Sequence, residues 1–217
     1  MARPRIDTNE PSAVERIYEA YWKLLENNMV KDITISMVSS TAGCNRGTFY
    51  YHFKDMDDLL YRLIEKDLMG SEDESYAHLI FRMLASPSSE LLLAQVENKM
   101  TRHLYLLASQ GGMDIVDSKI KEIVRNMWRG VLCEKGQKLS FESLLLIEYS
   151  VSGLIALILM VYRMKDHGYE IPESIDMEAL QQVARIQIVR LARCEDVDPS
   201  EILLRLQMYD KFLKSDA

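Results

Sequence analysis

Six side chains between positions 46 and 54 could bind a polyanion through hydrogen bonds and charge. All are donors or aromatic groups: Arg46, Thr48, Tyr50, Tyr51, His52 and Lys54. They lie in a window without Asp or Glu that runs from residue 33 to residue 54. Contact with nucleic-acid phosphates requires such a window, because a carboxylate would repel them. The pattern therefore indicates DNA contact, although it also fits an exposed helix of any helical protein.

Two short helices joined by a tight turn are predicted to position these side chains. Thr34 can cap the first helix, Gly43 can end it, and Asn45 can cap the second, with Phe49 and Phe53 facing inward. Helices joined in this way form a helix-turn-helix unit, in which the second helix enters the major groove of DNA. The sequence thus places the donors on a candidate recognition helix.

Composition predicts an all-α fold for the whole chain. Hydrophobic residues make up 48% of the 217 residues, and there are only 9 Gly and 5 Pro. We expect a flexible arm at 1–11, a three-helix DNA-binding domain at 12–55, and a larger helical ligand-binding and dimerisation domain at 56–217. Further helices are predicted at 74–85, 88–109, 117–133, 141–166, 175–194 and 199–214, without internal repeats or strands.

The net charge of −7 is unfavourable for a DNA-binding protein, but its distribution is uneven. Residues 1–54 have a net charge of +1, which leaves −8 for the remainder. We therefore expect DNA contact to be confined to one small face.

Other classes of protein are disfavoured by what the sequence lacks. Three distant cysteines and four scattered histidines form no CxxC or metal-ligand cluster, so neither a disulfide nor a metal site is expected. No phosphate-binding glycine loop or nucleophile signature occurs, so we expect neither an enzyme nor a cofactor.

The apolar run 144–162 is interrupted by Glu148, Ser150 and Ser152, which favours a buried interface helix over a membrane span. A cytoplasmic location is predicted.

The segment from about Ile17 to Ile64 resembles the DNA-binding domain of the TetR/AcrR family of transcriptional repressors. The residues that carry the resemblance are Thr34-Ile35, Ala42-Gly43, Gly47-Thr48-Phe49-Tyr50, His52-Phe53, Asp55 and Leu59-Leu60. The stretch NRGTFYYHFKDMDDLL is similar to a subgroup of regulators of dihydroxyacetone kinase genes. Departures from the family pattern occur outside the recognition helix, at Met29, Met37, Ser39 and Ser40.

The resemblance implies a role for each residue of the candidate interface. Thr34 and Tyr50 would contact phosphates, and His52 and Lys54 would hold the flanking backbone. Arg46 and Thr48 would face phosphates or base edges, and Tyr51 would contact bases. Asn45 would cap the helix, and Gly47 has no side chain to hold the helix away from DNA. Tyr50 and His52 could instead pack against the first helix. Cys44 is interpreted as a small core residue, with a redox sensor as the alternative.

The C-terminal region is predicted to form a homodimer and to bind a small apolar or amphipathic ligand. The run 144–162 is apolar on nearly all faces and must be covered, so we expect it to form a four-helix interface with 179–192 and their counterparts in a second subunit. The family resemblance implies the ligand. Candidate ligand contacts are His103, Trp128, Glu148, Tyr149 and Tyr162. His103 could instead be a core residue with its hydrogen bonds satisfied, and Glu148 could be paired across the dimer, because a lone buried carboxylate is costly.

Two functions remain open at this stage. The first is a dimeric repressor that a small-molecule ligand releases from its double-stranded DNA operator. The second is a DNA-binding regulator without an inducer, controlled by a protein partner.

Overall fold

The chain is described here by a computed structural model that covers residues 11–69, 90–92, 99–170, 174–176, 178–202, 204–206 and 208–209. The helices within these ranges are α1 Ala13–Leu25, α2 Ile35–Thr41, α3 Arg46–His52, α4 Met56–Met69, α5 Lys99–Leu107, α6 Met113–Leu132, α7 Phe141–Asp166 and α8 Glu178–Cys194. Short helical turns form at Val30–Asp32 and Pro199–Glu201, and a kinked segment at Ala108–Gly112. The all-α prediction is confirmed, apart from one small strand pair.

That strand pair corrects two predicted helices. β1 (Glu90–Leu92) and β2 (Ser174–Asp176) are antiparallel, with Leu91 opposite Ile175. The predictions at 88–109 and 175–194 were therefore wrong at their N-terminal ends. A short apolar run fits a strand as well as a helix, so periodicity alone could not decide between them. The helix predicted at 74–85 lies outside the described residues, as does nearly all of the arm predicted at 1–11.

Contacts divide the chain into two compact units. The N-terminal unit extends to Leu63 and includes Leu106–Gly112, and the C-terminal unit holds Ile64–Tyr105 and the chain from Met113 onward. This division falls inside α4, and the domain boundary after residue 55 stays a prediction.

The core of the N-terminal unit holds α3 in place. α1 begins with a capping box, in which Ser12 and Glu15 each accept the other's backbone N–H. Ile17, Tyr21 and Phe49 are fully buried. Helices of seven residues, such as α2 and α3, are not stable alone. Burial of their apolar faces against α1 therefore stabilises the helix that carries the candidate interface.

Tyr21 carries a buried hydroxyl without a hydrogen-bond partner among the described residues, and burial raises the pKa of its phenol. We expect Tyr21→Phe to leave the free energy of unfolding unchanged or to raise it by roughly 1 kcal/mol, because the substitution removes an unsatisfied polar group. Urea unfolding measures this, with the exposed Tyr169→Phe as a neutral control. A loss above about 1 kcal/mol would show that the hydroxyl is hydrogen-bonded after all.

The C-terminal unit is built on α6 and α7. The face predicted for α6 is confirmed, since every member is buried: Ile120, Ile123, Val124, Met127, Trp128, Val131 and Leu132. α6 packs against α7, and α7 packs against α8. The described part of the last predicted helix packs on the end of α6, where Arg205 Nη1 donates to the carbonyl of Val131 at 3.5 Å.

Glu195 ties the start of α7 to the end of α8. Its Oε1 accepts hydrogen bonds from the backbone N–H and the Oγ of Ser140, both at 2.8 Å. Burial raises the pKa of Glu195, but hydrogen bonds from Ser143 and Ser140 outweigh this and hold the pKa below its ordinary value. Cys133 also donates to Oε2, and burial together with Glu195 raises the pKa of its thiol.

We expect Glu195→Gln to lower the free energy of unfolding by about 1–2 kcal/mol at neutral pH, because the charged acceptor is lost. A lowered pKa in the folded state stabilises above the unfolded-state pKa of about 4.3, and this stabilisation disappears as the pH falls through the folded-state pKa. The difference between wild type and variant should therefore shrink in acid. Urea unfolding across pH measures it, with exposed Glu134→Gln as the control. A difference that is independent of pH would contradict this role.

Candidate nucleic-acid interface

The turn between α2 and α3 has the predicted local chemistry. Thr34 Oγ1 accepts from the backbone N–H of Met37 at 3.3 Å and caps α2. Gly43 has a φ of +64°, a conformation in which a Cβ is unfavourable. Arg16 of α1 donates from Nε to the carbonyl of Ala42 at 3.3 Å, which ties α1 to the turn. The angle at which α3 leaves the turn is therefore fixed by backbone conformation and by α1.

Asn45 begins α3 as predicted. Its Oδ1 accepts from the backbone N–H of Thr48 at 2.8 Å and from Thr48 Oγ1 at 3.3 Å. A Cβ at Gly47 would lie 3.0 Å from the same Oδ1, so a larger residue there would press on the cap. Asn45 and Thr48 are thus hydrogen-bonded to each other at the start of α3. Asn45 and Gly47 are exposed to solvent.

The outer face of α3 carries a cation and two tyrosines. Arg46 is exposed, and Tyr50 and Tyr51 are 58% and 84% exposed. Phe49, which precedes Tyr50 in sequence, is fully buried on the opposite face of α3 and anchors the helix to the core. The ring centroid of His52 lies 4.8 Å from that of Tyr51, and the His52 side chain is half-buried. An exposed tyrosine on an anchored helix can stack or donate to a partner molecule without rearrangement.

The end of α3 leads directly into α4. Asp55 Oδ1 accepts from the backbone N–H of Asp58 at 2.9 Å and caps α4. The backbone N–H of Lys54 donates to Asp58 Oδ2 at 2.9 Å and lowers the pKa of this carboxyl, with Arg62 adding to the effect. The side chain of Lys54 is exposed. Two carboxylates that follow the acid-free window are thus engaged locally, Asp55 with the backbone of α4 and Asp58 with Lys54 and Arg62.

Two of the predicted ligand contacts lie on α5 and α7. His103 Nδ1 is 2.6 Å from Asp67 Oδ2, and both side chains are nearly buried. The ring of Tyr162 stacks on that of Tyr105 with centroids 4.9 Å apart, and its hydroxyl lies 3.0 Å from Thr101 Oγ1. These polar groups already have partners within the C-terminal unit.

The other three predicted contacts lie in different environments. Trp128 is buried in the α6 core, whereas Tyr149 is exposed on α7. Glu148 is ion-paired within the chain, with Lys121 at 2.8 Å and Arg125 at 3.3 Å. Glu148 therefore needs no partner from a second subunit, because α6 supplies both cations. The ligand-contact roles of all five residues stay predictions.

An open groove of about 440 Å³ lies in the C-terminal unit, along the second half of α7. Its lining includes Ala156, Met160, Arg163, Met164 and His167. Sequence reasoning did not select this groove, although the spacing of these residues places them on one helix face. Within the described ranges, no cluster of three or more His, Cys, Asp or Glu residues could hold a metal ion.

α7 is long and apolar enough to cross a membrane by length and composition. Its most apolar window of 18 residues has a mean hydropathy of 2.3, and only 22% of that window is buried. A core helix of a helical protein passes the same test of length and composition. The low burial shows that much of α7 is not covered by the described part of its own chain.

No family model matches the chain. The chain is 39% identical over 54 residues to HTH-type transcriptional regulators of Staphylococcus aureus, including those of strains USA300, NCTC 8325 and COL. The match covers 25% of this chain and 29% of each relative, so it spans less than a third of the curated relatives' length. These relatives are named as transcriptional regulators, the class of protein that the sequence predicts.

A solved structure also aligns with the chain. It is FadR of Thermus thermophilus, a TetR-family transcriptional repressor in complex with lauroyl-CoA. It is 17% identical, covers 91% of this chain and 92% of its own, and has a TM-score of 0.30, which is too low to carry an argument. The chain is thus similar in part to helix-turn-helix regulators, and the subgroup of dihydroxyacetone kinase regulators stays a prediction.

Proposed function

We propose that the protein is a dimeric, sequence-specific DNA-binding transcriptional regulator of the TetR/AcrR type, acting in the cytoplasm as a repressor on a double-stranded operator. The observation that carries this proposal is α3 itself. Arg46 and Tyr51 stand exposed on it above the buried Phe49, within a window free of carboxylates. Such a helix can enter the major groove with its N-terminal residues nearest to the bases.

The exposed groups divide into two kinds of contact. Arg46 and Tyr51 read bases, since Arg can bond guanine through two donors and Tyr51 is the most exposed aromatic residue of α3. Thr34, Tyr50, His52 and Lys54 contact phosphates, which positions the helix without specifying sequence. Asn45, Gly47 and Thr48 shape the start of α3 and let it approach the DNA closely.

A dimer provides the affinity that one seven-residue helix lacks. Two recognition helices can engage half-sites about 34–36 Å apart, on one face of the duplex. The exposed apolar residues of α7 and α8 support this assembly, because Leu145 is 55% and Ile186 is 60% exposed in the single chain. We propose that α7 and α8 of two copies form the four-helix interface.

We further propose that a small apolar or amphipathic ligand releases the repressor by favouring a spacing of the recognition helices that does not fit the operator. His103, Trp128, Glu148, Tyr149 and Tyr162 remain the candidate contacts. Thermal melting against a metabolite library tests this. A compound that raises the melting temperature and weakens DNA binding supports it, whereas no shift across broad chemistry favours control by a protein partner.

Salt dependence tests the electrostatic part of the DNA interface. We expect the logarithm of the binding constant for duplex DNA to fall linearly with the logarithm of salt concentration, because phosphate contacts release counterions. Lys54→Gln should reduce that slope by about 1 and weaken all sequences alike. Fluorescence anisotropy measures both, with the exposed Lys138→Gln as the control outside the face. Binding that is independent of salt would contradict the interface.

A further inference from the structure

The groove along the second half of α7 has the size and the lining of a site for a small amphipathic molecule. Its volume of about 440 Å³ falls within the range of about 300–1,000 Å³ that is usual for ligand pockets. Met113 at the start of α6 lines it together with Met160 and Met164 of α7, and these flexible side chains can adapt to an apolar surface. None of the eight described residues that line the groove is Asp or Glu.

The turn that follows α7 shapes the end of the groove. Gly168 has a φ of +76°, and its backbone N–H donates to the carbonyl of Lys165 at 2.8 Å. The backbone N–H of Tyr169 donates to the carbonyl of Met164 at 3.0 Å. These two bonds form a Schellman motif, which turns the residue after the glycine back toward the helix. Because Tyr169 and Met164 both line the groove, its end is formed by local backbone geometry.

Two polar side chains of the groove can bind a ligand. The exposed guanidinium of Arg163 has no hydrogen-bond or ion-pair partner among the residues that the structure describes. His167 Nδ1 lies 2.7 Å from the carbonyl oxygen of Arg163. A carbonyl can only accept, so Nδ1 carries the hydrogen, and Nε2 is left as a second donor when the ring is protonated. The groove therefore combines an apolar lining with one unpaired positive charge.

The surroundings of Arg163 are compatible with a bound anion. Asp166, the carboxylate on the same turn of α7, accepts a hydrogen bond from the hydroxyl of Tyr105 on α5 and does not line the groove. The end of a helix carries partial negative charge on its free carbonyls, which would repel an anion. Here the carbonyls of Arg163, Met164 and Lys165 each accept a hydrogen bond from the turn that follows. Their repulsion of an anion is thereby reduced.

We propose that this groove binds a soluble amphiphile with an anionic head group, such as a carboxylate, and a hydrocarbon tail of medium length. The head group pairs with the guanidinium of Arg163, whose N–H donors match a carboxylate. The tail lies over Met160 toward Ala156, which is about 10 Å from Arg163 along the helix axis. A cation would be repelled by Arg163, and a small polar anion would leave the methionines exposed to water.

The groove uses different residues from the proposals made above. None of the five candidate ligand contacts lines it, and neither does Leu145 or Ile186, whose exposure supports the dimer. The inference names a class and a place for the small ligand of the proposed function. It rests on that function only for the effect of the ligand on DNA, because binding to the groove can be measured without DNA.

Three probes that differ in head group or tail test the chemistry of the groove. Isothermal titration calorimetry of the full chain, at one stated low salt concentration, measures binding of decanoate, decyltrimethylammonium and acetate. We expect decanoate to bind at least about 10-fold more tightly than decyltrimethylammonium, because the tails match and only the sign of the head-group charge differs. Acetate should not bind measurably, because it lacks the tail.

Variants of the lining test its place. Arg163→Gln should weaken decanoate binding by about 5- to 10-fold, because it removes a charged donor, and should abolish most of the preference over decyltrimethylammonium. Met160→Gln should weaken both probes by about threefold, because it removes apolar surface and keeps the charge. Both side chains are exposed, so neither change should unfold the chain. Arg129→Gln, an exposed arginine outside the groove, should leave binding unchanged.

The outcomes separate this site from the regulator itself. Decanoate binding that depends on Arg163 supports the groove, even where operator affinity stays the same, a result that would contradict only release by this ligand. No decanoate binding at millimolar concentration, equal binding of the cationic probe, or full binding by Arg163→Gln overturns the groove and leaves DNA binding untouched. Sedimentation with phosphatidylglycerol vesicles, without binding of free decanoate, assigns this face to a lipid surface and also overturns the proposal.

Discussion

Arg46→Ala and Tyr51→Ala are each expected to weaken binding to the operator by roughly 1–3 kcal/mol per base-reading contact, which is about 5- to 150-fold. Both side chains project from α3 and both are exposed, so the folded state loses little when they are truncated. The loss should be concentrated on the operator, with a smaller effect on unrelated duplexes, because base contacts carry sequence preference. Anisotropy titration at one stated salt concentration measures both affinities.

Two control variants sharpen that result. Tyr51→Phe keeps the ring and removes the hydroxyl, so it separates stacking or apolar contact from hydrogen bonding. Lys138→Ala removes an exposed cation outside the face and should leave operator binding unchanged. If both alanine variants bind the operator as strongly as the wild type, α3 is not the recognition helix.

Phe49→Ala is expected to lower the free energy of unfolding by about 3–5 kcal/mol, because it removes a fully buried ring from beneath α3. The ring of Phe49 also contacts that of Phe53, with centroids 5.5 Å apart. Since small domains are stable by only about 5–15 kcal/mol, DNA binding should be lost together with the fold of the N-terminal unit. Urea unfolding with circular dichroism measures this change.

A conservative change at the same position provides the control. Phe49→Leu keeps an apolar side chain and should lose less than half as much stability as Phe49→Ala. It leaves the exposed face of α3 unaltered, so operator binding should persist at low temperature. An alanine variant as stable as the wild type would show that α3 is not anchored by this ring.

Local chemistry explains why the start of α3 could be predicted from the sequence. Asn45 caps α3 and Thr34 caps α2 through hydrogen bonds to residues only three positions away. Gly43 adopts its left-handed conformation within the same turn. Such features depend on a few consecutive residues, so sequence alone fixes them.

Features that depend on distant residues could not be predicted in the same way. Glu148 is paired with Lys121, which lies on a different helix, and Ser140 is held by Glu195, 55 residues away. The pairing of β1 with β2 likewise joins segments far apart in sequence. The apolar character of α7 was evident from the sequence, but the groove on its second half required the folded helix.

The central claim is that α3 reads a specific DNA sequence in a two-fold symmetric assembly. Selection of bound duplexes from a random pool, at a stated salt concentration, tests this most directly. The account predicts an enriched site with two inverted half-sites about one helical turn apart, or a multiple of it, and no enrichment of that site by the protein carrying Arg46→Ala and Tyr51→Ala together. A wild-type pool without any enriched sequence, or a site that the double variant enriches equally, would contradict it.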